Sequence, residues 1–326
     1  MGIFDSIFDT LFSYSKPDIS QSFLGLGKKS STETATGPDK SKSTDLVSNA
    51  PASSSPIPES LKLVQPGGFF KYGHPGPRID VDFKQEYISA YDRRLRNPFY
   101  VVEHVTPTSL AKNDQVQRKN VFMENESIPL KFRARLTDYF RSGYDRGHMA
   151  PARDAKYSQE AMDETFYLTN MAPQVGDGFN RDYWAHFEEF CRSLTGTYNS
   201  VRIVTGPLYL PKKYPDGKFR VTYEMIGNPP SVAVPTHFFK LIVAESPRKQ
   251  PSTAEVAVGA FILPNEPIPN AAPLKSFYVP VDAIERASGL EFLTDLAPSL
   301  KKDLCREVQC EITVREFVKA LPAPRK

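Results

Sequence analysis

Six stretches rich in β-branched and aromatic residues, separated by polar and Pro-containing segments, predict β-strands. They are residues 99–105, 165–170, 201–205, 219–226, 237–243 and 256–263. Three helices are predicted, from Asn180 to Gly196, from Asp282 to Gly289 and over residues 299–308, and the first two open on side chains able to cap them. Because strands and helices mix without a regular strand–helix–strand rhythm, the pattern predicts an α+β fold with a mostly antiparallel sheet.

The first 60 residues have a different pattern. The opening "MGIFDSIFDTLF" places its large apolar side chains at helical spacing on one stripe, which suits a membrane surface or a partner protein. Nearly half of residues 30–55 are Ser or Thr, and such a stretch cannot bury enough apolar surface to offset its ordering entropy. We therefore expect an amphipathic segment and a disordered tether over residues 1–60, followed by one folded domain over residues 61–326.

Composition agrees with a globular domain and excludes some classes of function. Hydrophobic residues make up 40% and charged residues 24% of the chain, and no apolar run is long enough to span a bilayer. The glycine spacings that bind dinucleotides or nucleoside triphosphates do not occur. Cys191, Cys305 and Cys310 form no CxxC or Cys/His metal pattern, so we expect all three to be free, small apolar residues.

The charge is unevenly distributed along the chain. The formal net charge is +3, yet residues 1–60 carry five Lys or Arg and seven Asp or Glu. Residues 84–156 carry 14 basic and nine acidic residues. A local basic excess beside a polar motif favours an anionic substrate, although a solvated surface of mixed charge explains the same numbers.

One segment, "YDRGHMAPAR" from Tyr144, concentrates candidate chemistry. His148 lies between a glycine and a flexible methionine, so it is accessible enough to act as a general base near neutral pH. Arg146 offers a planar set of donors suited to a phosphate. Asp145 is placed either to orient that arginine or to accept from a metal-bound water.

The predicted helix downstream supplies three more polar residues. Glu188 and Arg192 are four residues apart, so they share a helix face and are able to pair. Asn180 lies eight residues before Glu188, and a neutral amide oxygen suits Mg²⁺, which keeps most of its waters. Taken singly, His148 is also compatible with a hydrogen-bonded loop histidine and Asn180 with a helix cap. The Glu188–Arg192 pair also fits an ordinary surface ion pair.

Order and spacing add a family resemblance. "DRGH" followed by "MAPA", "TFYLTNMAPQ" and "FNRDYWAHFEEF" resembles the DNA/RNA non-specific endonucleases of the ββα-metal class. The likeness is strongest to their mitochondrial branch, which includes endonuclease G and the fungal mitochondrial nucleases. It covers roughly Gly67 to Val314 and excludes the N-terminal tether.

The resemblance implies a role for each matching residue. His148 matches the general base that takes a proton from the attacking water. Asn180 matches the sole direct protein ligand of a Mg²⁺ or Mn²⁺ ion. Arg146 and Arg192 match arginines near the scissile phosphate, and Glu188 matches an acid that holds a metal-bound water.

Asp145 and Asn170 match positions that surround the catalytic residues and shape the site. In the family, the strand–loop–strand–helix unit that carries these side chains lies at the edge of a central antiparallel sheet flanked by helices. The resemblance thus implies the ββα-metal nuclease fold for the folded domain.

The implied activity is hydrolysis of DNA and RNA phosphodiester bonds to 5′-phosphate products, with little sequence preference. The resemblance also implies a homodimer and a mitochondrial location, with the inner membrane or intermembrane space as candidate sites. The N-terminal stripe is compatible with membrane association. Two alternatives stay open, a metal phosphodiesterase of small molecules and a nucleic-acid-binding or scaffolding protein that has lost catalysis.

Overall fold

The structure, a computed structural model, describes residues 77–249 and 254–314 of the 326-residue chain. The amphipathic segment and tether predicted over residues 1–60 therefore lie outside the described residues, as does the domain boundary at residue 61. In the described ranges, no helix has both the length and the apolar character needed to cross a membrane.

The described residues form 14 strands. They are β1 (Asp80–Phe83), β2 (Tyr87–Asp92), β3 (Asn97–Val105), β4 (Asp145–His148), β5 (Met171–Gln174), β6 (Tyr198–Leu208), β7 (Lys212–Lys213), β8 (Phe219–Arg220), β9 (Met225–Ile226), β10 (Val232–Ala233), β11 (His237–Pro247), β12 (Val256–Pro264), β13 (Tyr278–Val279) and β14 (Lys301–Asp303).

Eight of these strands form the central sheet. The strands β1, β2, β3, β6, β11, β12 and β13 follow one another across it, and every neighbouring pair is antiparallel. The short β14 pairs with β12 in parallel. All nine residues of β12 are buried, because both faces of the sheet are covered there. The predicted α+β fold with a mostly antiparallel sheet is confirmed.

Five α-helices accompany the sheet in the described ranges. They are α1 (Leu136–Tyr139), α2 (Gln159–Glu164), α3 (Trp184–Ser193), α4 (Val281–Ser288) and α5 (Leu304–Glu307). A π-type helical turn, Gly176–Tyr183, leads directly into α3. A 3₁₀ turn, Leu194–Gly196, ends that helical run at the predicted glycine.

Helix α3 is fixed to the sheet by aromatic packing. The ring centroids of Trp184 and Phe238 are 5.6 Å apart, and those of Phe187 and Phe261 are 5.1 Å apart. All four side chains are fully buried. Burial of each such side chain stabilises the fold by roughly 2–3 kcal/mol, so α3 is a rigid support for the polar residues on its other side.

Helix α4 covers the opposite face of the sheet. Ala283 and Ile284 pack against the buried cluster that includes Phe239. Gly289 ends the helix in the left-handed region at φ +72°, as the sequence predicts. The predicted cap by Asp282 was wrong, because Pro280 occupies the N-cap position and no side chain caps it.

Three other predicted elements differ from the structure, while the remaining strands hold with shifted ends. Residues 165–170 end helix α2 and form a 3₁₀ turn, and the strand lies one residue further on as β5. Residues 299–308 form β14 and the short α5 instead of one helix, because 301–303 pair with β12. Of the predicted strand 219–226, only its two ends are paired, as β8 and β9.

The expectation of three free cysteines was also wrong. Cys305 and Cys310 form a disulfide that closes a short loop after α5. Cys191 is free and lies on the buried face of α3, as expected for a small apolar residue.

Candidate active site

The motif Asp145–His148 forms strand β4, which pairs with β5 as a separate two-stranded ribbon. Side chains alternate along a strand, so Arg146 and His148 face one side and Asp145 the other. Gly147 between them is required by a close approach, since a Cβ there would lie 1.9 Å from Oε1 of buried Gln174. The strand–helix unit implied by the resemblance, β4, β5 and the helical run from Gly176, is therefore present.

His148 lies against two aromatic rings. Its imidazole meets the ring of Phe166 edge-on with centroids 4.9 Å apart, and the ring of Phe122 is 5.9 Å away. Its Nε2 is buried without a hydrogen-bond partner among the described residues. His148 as a whole is half-buried. Burial of its ring lowers the pKa of His148 to about 3, and the positive charge of Arg118 acts in the same direction. The ring is therefore neutral at neutral pH, as a general base requires.

Asn170 fixes the chain directly behind His148. Its Oδ1 accepts from the amide of Ala150, and its Nδ2 donates to the carbonyls of Ala150 and Thr165, each at 2.9 Å. Its own carbonyl accepts from the amide of Met149 at 2.9 Å. Because Asn170 is completely buried, these bonds hold the segment after β4 in one position and thereby place His148.

Asn180 is held by Asp145. Its Nδ2 donates a 2.9 Å hydrogen bond to Oδ2 of Asp145. A carboxylate only accepts, so the amide nitrogen must face Asp145 and the Oδ1 of Asn180 faces away. That oxygen has no donor among the described residues. The alternative of Asn180 as a helix cap does not hold, since the residue lies inside the π-type turn Gly176–Tyr183.

Asp145 does not orient Arg146, which was one of the two roles predicted for it. Its second partner is Arg181, whose Nε lies 3.5 Å from Oδ2. The guanidinium of Arg146 instead lies over the rings of Phe122 and Tyr139, with its central carbon 4.9 and 5.9 Å from their centroids. Its Nε is buried without a partner among the described residues. Phe122 therefore borders both Arg146 and His148 and brings them together.

Helix α3 contributes Glu188 and Arg192, but the expected i,i+4 pair between them does not form. Arg192 is 9% exposed, and its Nη1 lies 2.7 Å from Oδ1 of buried Asp154. Its Nε donates to Oε2 of Glu189 at 3.1 Å. Arg192 therefore pairs with Glu189, three residues before it on the helix, and with Asp154, which is 38 residues away in the sequence. These two partners replace Glu188, the partner predicted from helix geometry.

Glu188 lies in a mixed electrostatic environment. Burial raises the pKa of its carboxyl to about 7, and the charge of Asp154 acts in the same direction. Lys240 and Arg192 oppose this rise. Lys240 is itself 1% exposed, and its Nζ donates to Oγ1 of Thr205 at 2.7 Å. A buried set of opposite charges thus lies behind Glu188.

Sequence reasoning missed Arg118. Its guanidinium carbon lies 5.5 Å from the ring centroid of Phe166, the ring that also contacts His148. Its charge adds to the lowering of the His148 pKa by burial and opposes the rise of the Glu188 pKa. Arg118 stands in the polar loop segment "KNDQVQRKN", where nothing in the sequence distinguishes it from an ordinary solvated arginine. Asp154 and Lys240 were missed for the same reason, because only the fold brings them near α3.

The donors of the site fit a hard divalent cation. Asn180 presents a free neutral oxygen, and Glu188 on the same helical run supplies a carboxylate. In residues 77–249 and 254–314, no group of three or more His, Cys, Asp or Glu side chains is arranged to hold a metal. A cation bound at Asn180 would therefore take most of its ligands from water and substrate.

Comparison with known proteins settles the family. The family model for DNA/RNA non-specific endonucleases matches residues 65–299. The chain belongs to the DNA/RNA non-specific endonuclease family. This membership confirms the resemblance read from the DRGH motif and supports hydrolytic nuclease activity.

Individual members of the endonuclease family are similar over most of the chain. A mitochondrial nuclease of Saccharomyces cerevisiae is 62% identical over 274 residues, which cover 81% of this chain and 83% of the relative. The mitochondrial endonuclease G of Homo sapiens is 42% identical over 238 residues, covering 72% and 77%. A chain in the crystal structure of the EndoG/EndoGI complex is 46% identical, with a TM-score of 0.65, and the match covers 73% of this chain and 97% of that one.

Proposed function

We propose that this endonuclease is sugar-non-specific and metal-dependent and hydrolyses DNA and RNA to products with 5′-phosphates. The observation that carries the proposal is the Asp145–Asn180 hydrogen bond, which turns a free amide oxygen outward on the helix that follows the two-stranded ribbon bearing His148. A base and a cation-binding oxygen thus stand on adjoining elements of one unit.

His148 acts as the general base in this proposal. Its ring is neutral above about pH 3, so it has a free lone pair at every physiological pH. It takes a proton from water, and the resulting nucleophile attacks the phosphorus in line with the departing 3′-oxygen. The rings of Phe166 and Phe122 fix the plane of the imidazole, and the hydrogen bonds of Asn170 fix its backbone.

Asn180 would hold a Mg²⁺ or Mn²⁺ ion through Oδ1. When bound, the ion supplies positive charge that neutralises the phosphate and the departing oxygen. Asp145 keeps the amide turned in the direction that exposes Oδ1. Glu188 accepts hydrogen bonds from water in its carboxylate form and orients it at the site.

The arginines stabilise the charge of the phosphate. Arg146 has an unpaired Nε and lies on the same face of β4 as His148, so it is placed to donate to a phosphate oxygen. Arg192, expected near the phosphate, has its charge committed to Asp154 and Glu189. For Arg192 these ion pairs favour a positioning role, holding α3 and the Glu188 carboxylate, over direct contact with substrate.

The names of the same relatives support a location, and the family resemblance implies an assembly. Those from Saccharomyces cerevisiae and Homo sapiens are named as mitochondrial, and we propose a mitochondrial location for this chain, in the intermembrane space or at the inner membrane. Membrane association would use the apolar stripe of the first 12 residues. We also propose a homodimer, which sedimentation velocity of the full chain would test.

The proposed activity is tested by giving the full chain supercoiled plasmid, RNA and a dinucleotide, each with Mg²⁺, Mn²⁺ or EDTA. We expect cleavage of plasmid and RNA with either ion, none in EDTA, and products whose 5′ ends are labelled only after phosphatase treatment. Cleavage of the dinucleotide alone would support a small-molecule phosphodiesterase. Binding without cleavage in either ion would support the nucleic-acid-binding reading.

A further inference from the structure

A basic hairpin stands apart from the central sheet. We use this name for residues 212–220, in which Lys212 pairs with Arg220 and Lys213 pairs with Phe219 as a two-stranded ribbon. All four strand residues are exposed, and neither strand pairs with any other strand in the described ranges. The ribbon therefore contributes little to the core, and its side chains are free to serve another purpose.

The charges of the basic hairpin are largely uncompensated. Arg220 is fixed by two hydrogen bonds to the carboxylate of Asp216, at 2.9 and 2.5 Å. Lys212, Lys213 and Lys218 have no ion-pair partner among residues 77–249 and 254–314. Three like charges on one short ribbon repel one another, and a bound anion would relieve this repulsion.

Aromatic side chains accompany these lysines. The ring of Phe219 is 38% exposed, and Nζ of Lys213 lies 5.9 Å from its centroid. Tyr223, just beyond the ribbon, is equally exposed and packs edge-on against Tyr209 with centroids 4.9 Å apart. Exposed rings beside unpaired ammonium groups are the combination by which proteins hold a single nucleic-acid strand, with cations on phosphates and rings against bases.

The segment that follows the basic hairpin contacts the candidate active site at two points. Glu224 accepts a 2.8 Å hydrogen bond from the hydroxyl of Tyr144, the residue immediately before β4. Ile226, two residues further, is buried in the same apolar cluster as Tyr139, and the Tyr139 ring lies beneath Arg146. The basic hairpin thus leads, within six residues of its end, into a segment that packs beside Arg146 and β4.

We propose that the basic hairpin is a second nucleic-acid contact outside the cleavage site, with Lys212, Lys213 and Lys218 on backbone phosphates and Phe219 against a base. This inference rests on the proposed nuclease function, because the same strand occupies both places. The ligand is a single-stranded polynucleotide long enough to reach beyond the scissile bond. A substrate too short to reach the hairpin gains nothing from it.

The test compares the wild-type chain with the triple variant Lys212→Ala/Lys213→Ala/Lys218→Ala. Affinity is measured by fluorescence anisotropy in EDTA, with a labelled DNA strand of about 40 nucleotides and one of about 6, at several salt concentrations. We expect the triple variant to bind the long strand about tenfold more weakly at ~0.1 M salt, with the slope of log affinity against log salt smaller by about 2. Affinity for the short strand stays within about twofold of wild type.

A triple variant of equal charge, Lys249→Ala/Lys275→Ala/Lys301→Ala, is the matched control. These lysines are exposed and also lack ion pairs within the described residues, and none of them belongs to the basic hairpin. We expect this control to bind both strands as wild type does. Equal losses in the two triple variants would overturn the proposal, since net charge alone would then explain them.

Two further results would also overturn it. One is a hairpin variant that binds the long strand with the affinity and the salt slope of the wild type. The other is an equal loss on the short strand, which would place the lysines at the cleavage site itself. Binding is measured without metal, so it does not depend on cleavage. A wild-type chain that binds the long strand but does not cleave would contradict the proposed nuclease function, and the comparison of the hairpin variants would still be valid. Single Lys218→Glu replaces the triple variant if circular dichroism shows that the latter is unfolded.

Discussion

The Nδ2 atom of Asn180 donates a 2.9 Å hydrogen bond to the carboxylate of Asp145, across 35 residues of sequence. This bond connects the start of strand β4 to the helical turn that precedes α3. It also decides which end of the amide faces the site, because the carboxylate has no proton to donate. The aspartate of the DRGH motif therefore acts on the proposed metal ligand and not on the arginine beside it.

Asp145→Ala should weaken metal binding while leaving the fold intact. Without an acceptor, the amide of Asn180 is free to rotate, and its Oδ1 no longer points in one direction. We expect the Mg²⁺ concentration for half-maximal plasmid cleavage to rise by about tenfold or more, in the range seen when a partner of a metal ligand is removed. Asp145→Asn keeps an acceptor oxygen and should recover part of this loss.

Arg181→Ala separates the two partners of Asp145. It removes the ion pair with Asp145 but leaves the hydrogen bond to Asn180. We expect a metal requirement within about twofold of wild type, because exposed ion pairs contribute little. An Arg181→Ala effect as large as that of Asp145→Ala would contradict the assigned role of the hydrogen bond.

Gly147→Ala should destabilise the chain by about 2 kcal/mol or more, because the new methyl group overlaps the buried Gln174 side chain. Plasmid cleavage should fall as well, since β4 also carries His148. Urea unfolding followed by circular dichroism measures the loss. Gly196→Ala is the matched control, as a Cβ there meets nothing within 4 Å. Equal stability of the two variants would show that the close approach at Gly147 is not real.

Asn170→Ala should cost about 3 kcal/mol, since three hydrogen bonds to buried backbone groups are lost together. The catalytic rate should fall with it, because the chain after His148 loses its support, whereas the affinity for uncleaved DNA in EDTA should not change. Asn113→Ala, at an exposed loop position, serves as the control. An Asn170→Ala variant with the stability and the catalytic rate of the wild type would show that Asn170 does not position His148.

The pH dependence of stability should report Glu188. Its pKa is raised from 4.5 to about 7 by burial, so the fold favours the protonated carboxyl. The stabilising contribution is fully present below pH 4.5 and is lost as the pH rises through 7. In EDTA, the unfolding free energy of Glu188→Gln should therefore decline less between pH 4.5 and 7 than that of wild type. Identical curves would mean that Glu188 titrates at its ordinary pKa.

The activity profile separates Glu188 from His148. The pKa of His148 is lowered to about 3, so the base is neutral well below pH 6 and does not set the acid limb of cleavage. An acid limb of cleavage that disappears in Glu188→Gln would agree with this assignment, and an acid limb that is unchanged in that variant would contradict it.

Local signals in the sequence predicted much of the fold. Residues 237–243, for example, are rich in aromatic and β-branched side chains, and they form the first part of β11. Helix α4 was found with its final Gly289, whose positive φ is a local property. The segment 299–308 was misread because its strand pairing with β12 is a tertiary contact that overrides helix propensity.

The candidate site was predictable only as a list of residues. Motif spacing pointed to His148, Asn180 and Glu188, but spacing does not tell which groups pair. The Asp145–Asn180 bond joins residues 35 positions apart, and the Arg192–Asp154 ion pair joins residues 38 apart. Neither pair follows helix or strand periodicity, so both required the fold.

Cleavage by His148→Ala decides whether this histidine is the general base. The matched control is His104→Ala, since His104 is exposed on β3 and its Nε2 bonds only Oγ of Ser200 among the described residues. Both variants and the wild type are given supercoiled plasmid and RNA with Mg²⁺ and with EDTA, after circular dichroism has shown equal folding.

We expect His148→Ala to lose at least about 100-fold in rate on both substrates, as removal of a general base does. His104→Ala should stay within about twofold of wild type, because surface substitutions away from a site have small effects, and EDTA should abolish all cleavage. A folded His148→Ala variant that cleaves plasmid and RNA at the wild-type rate would contradict the account and place the base elsewhere.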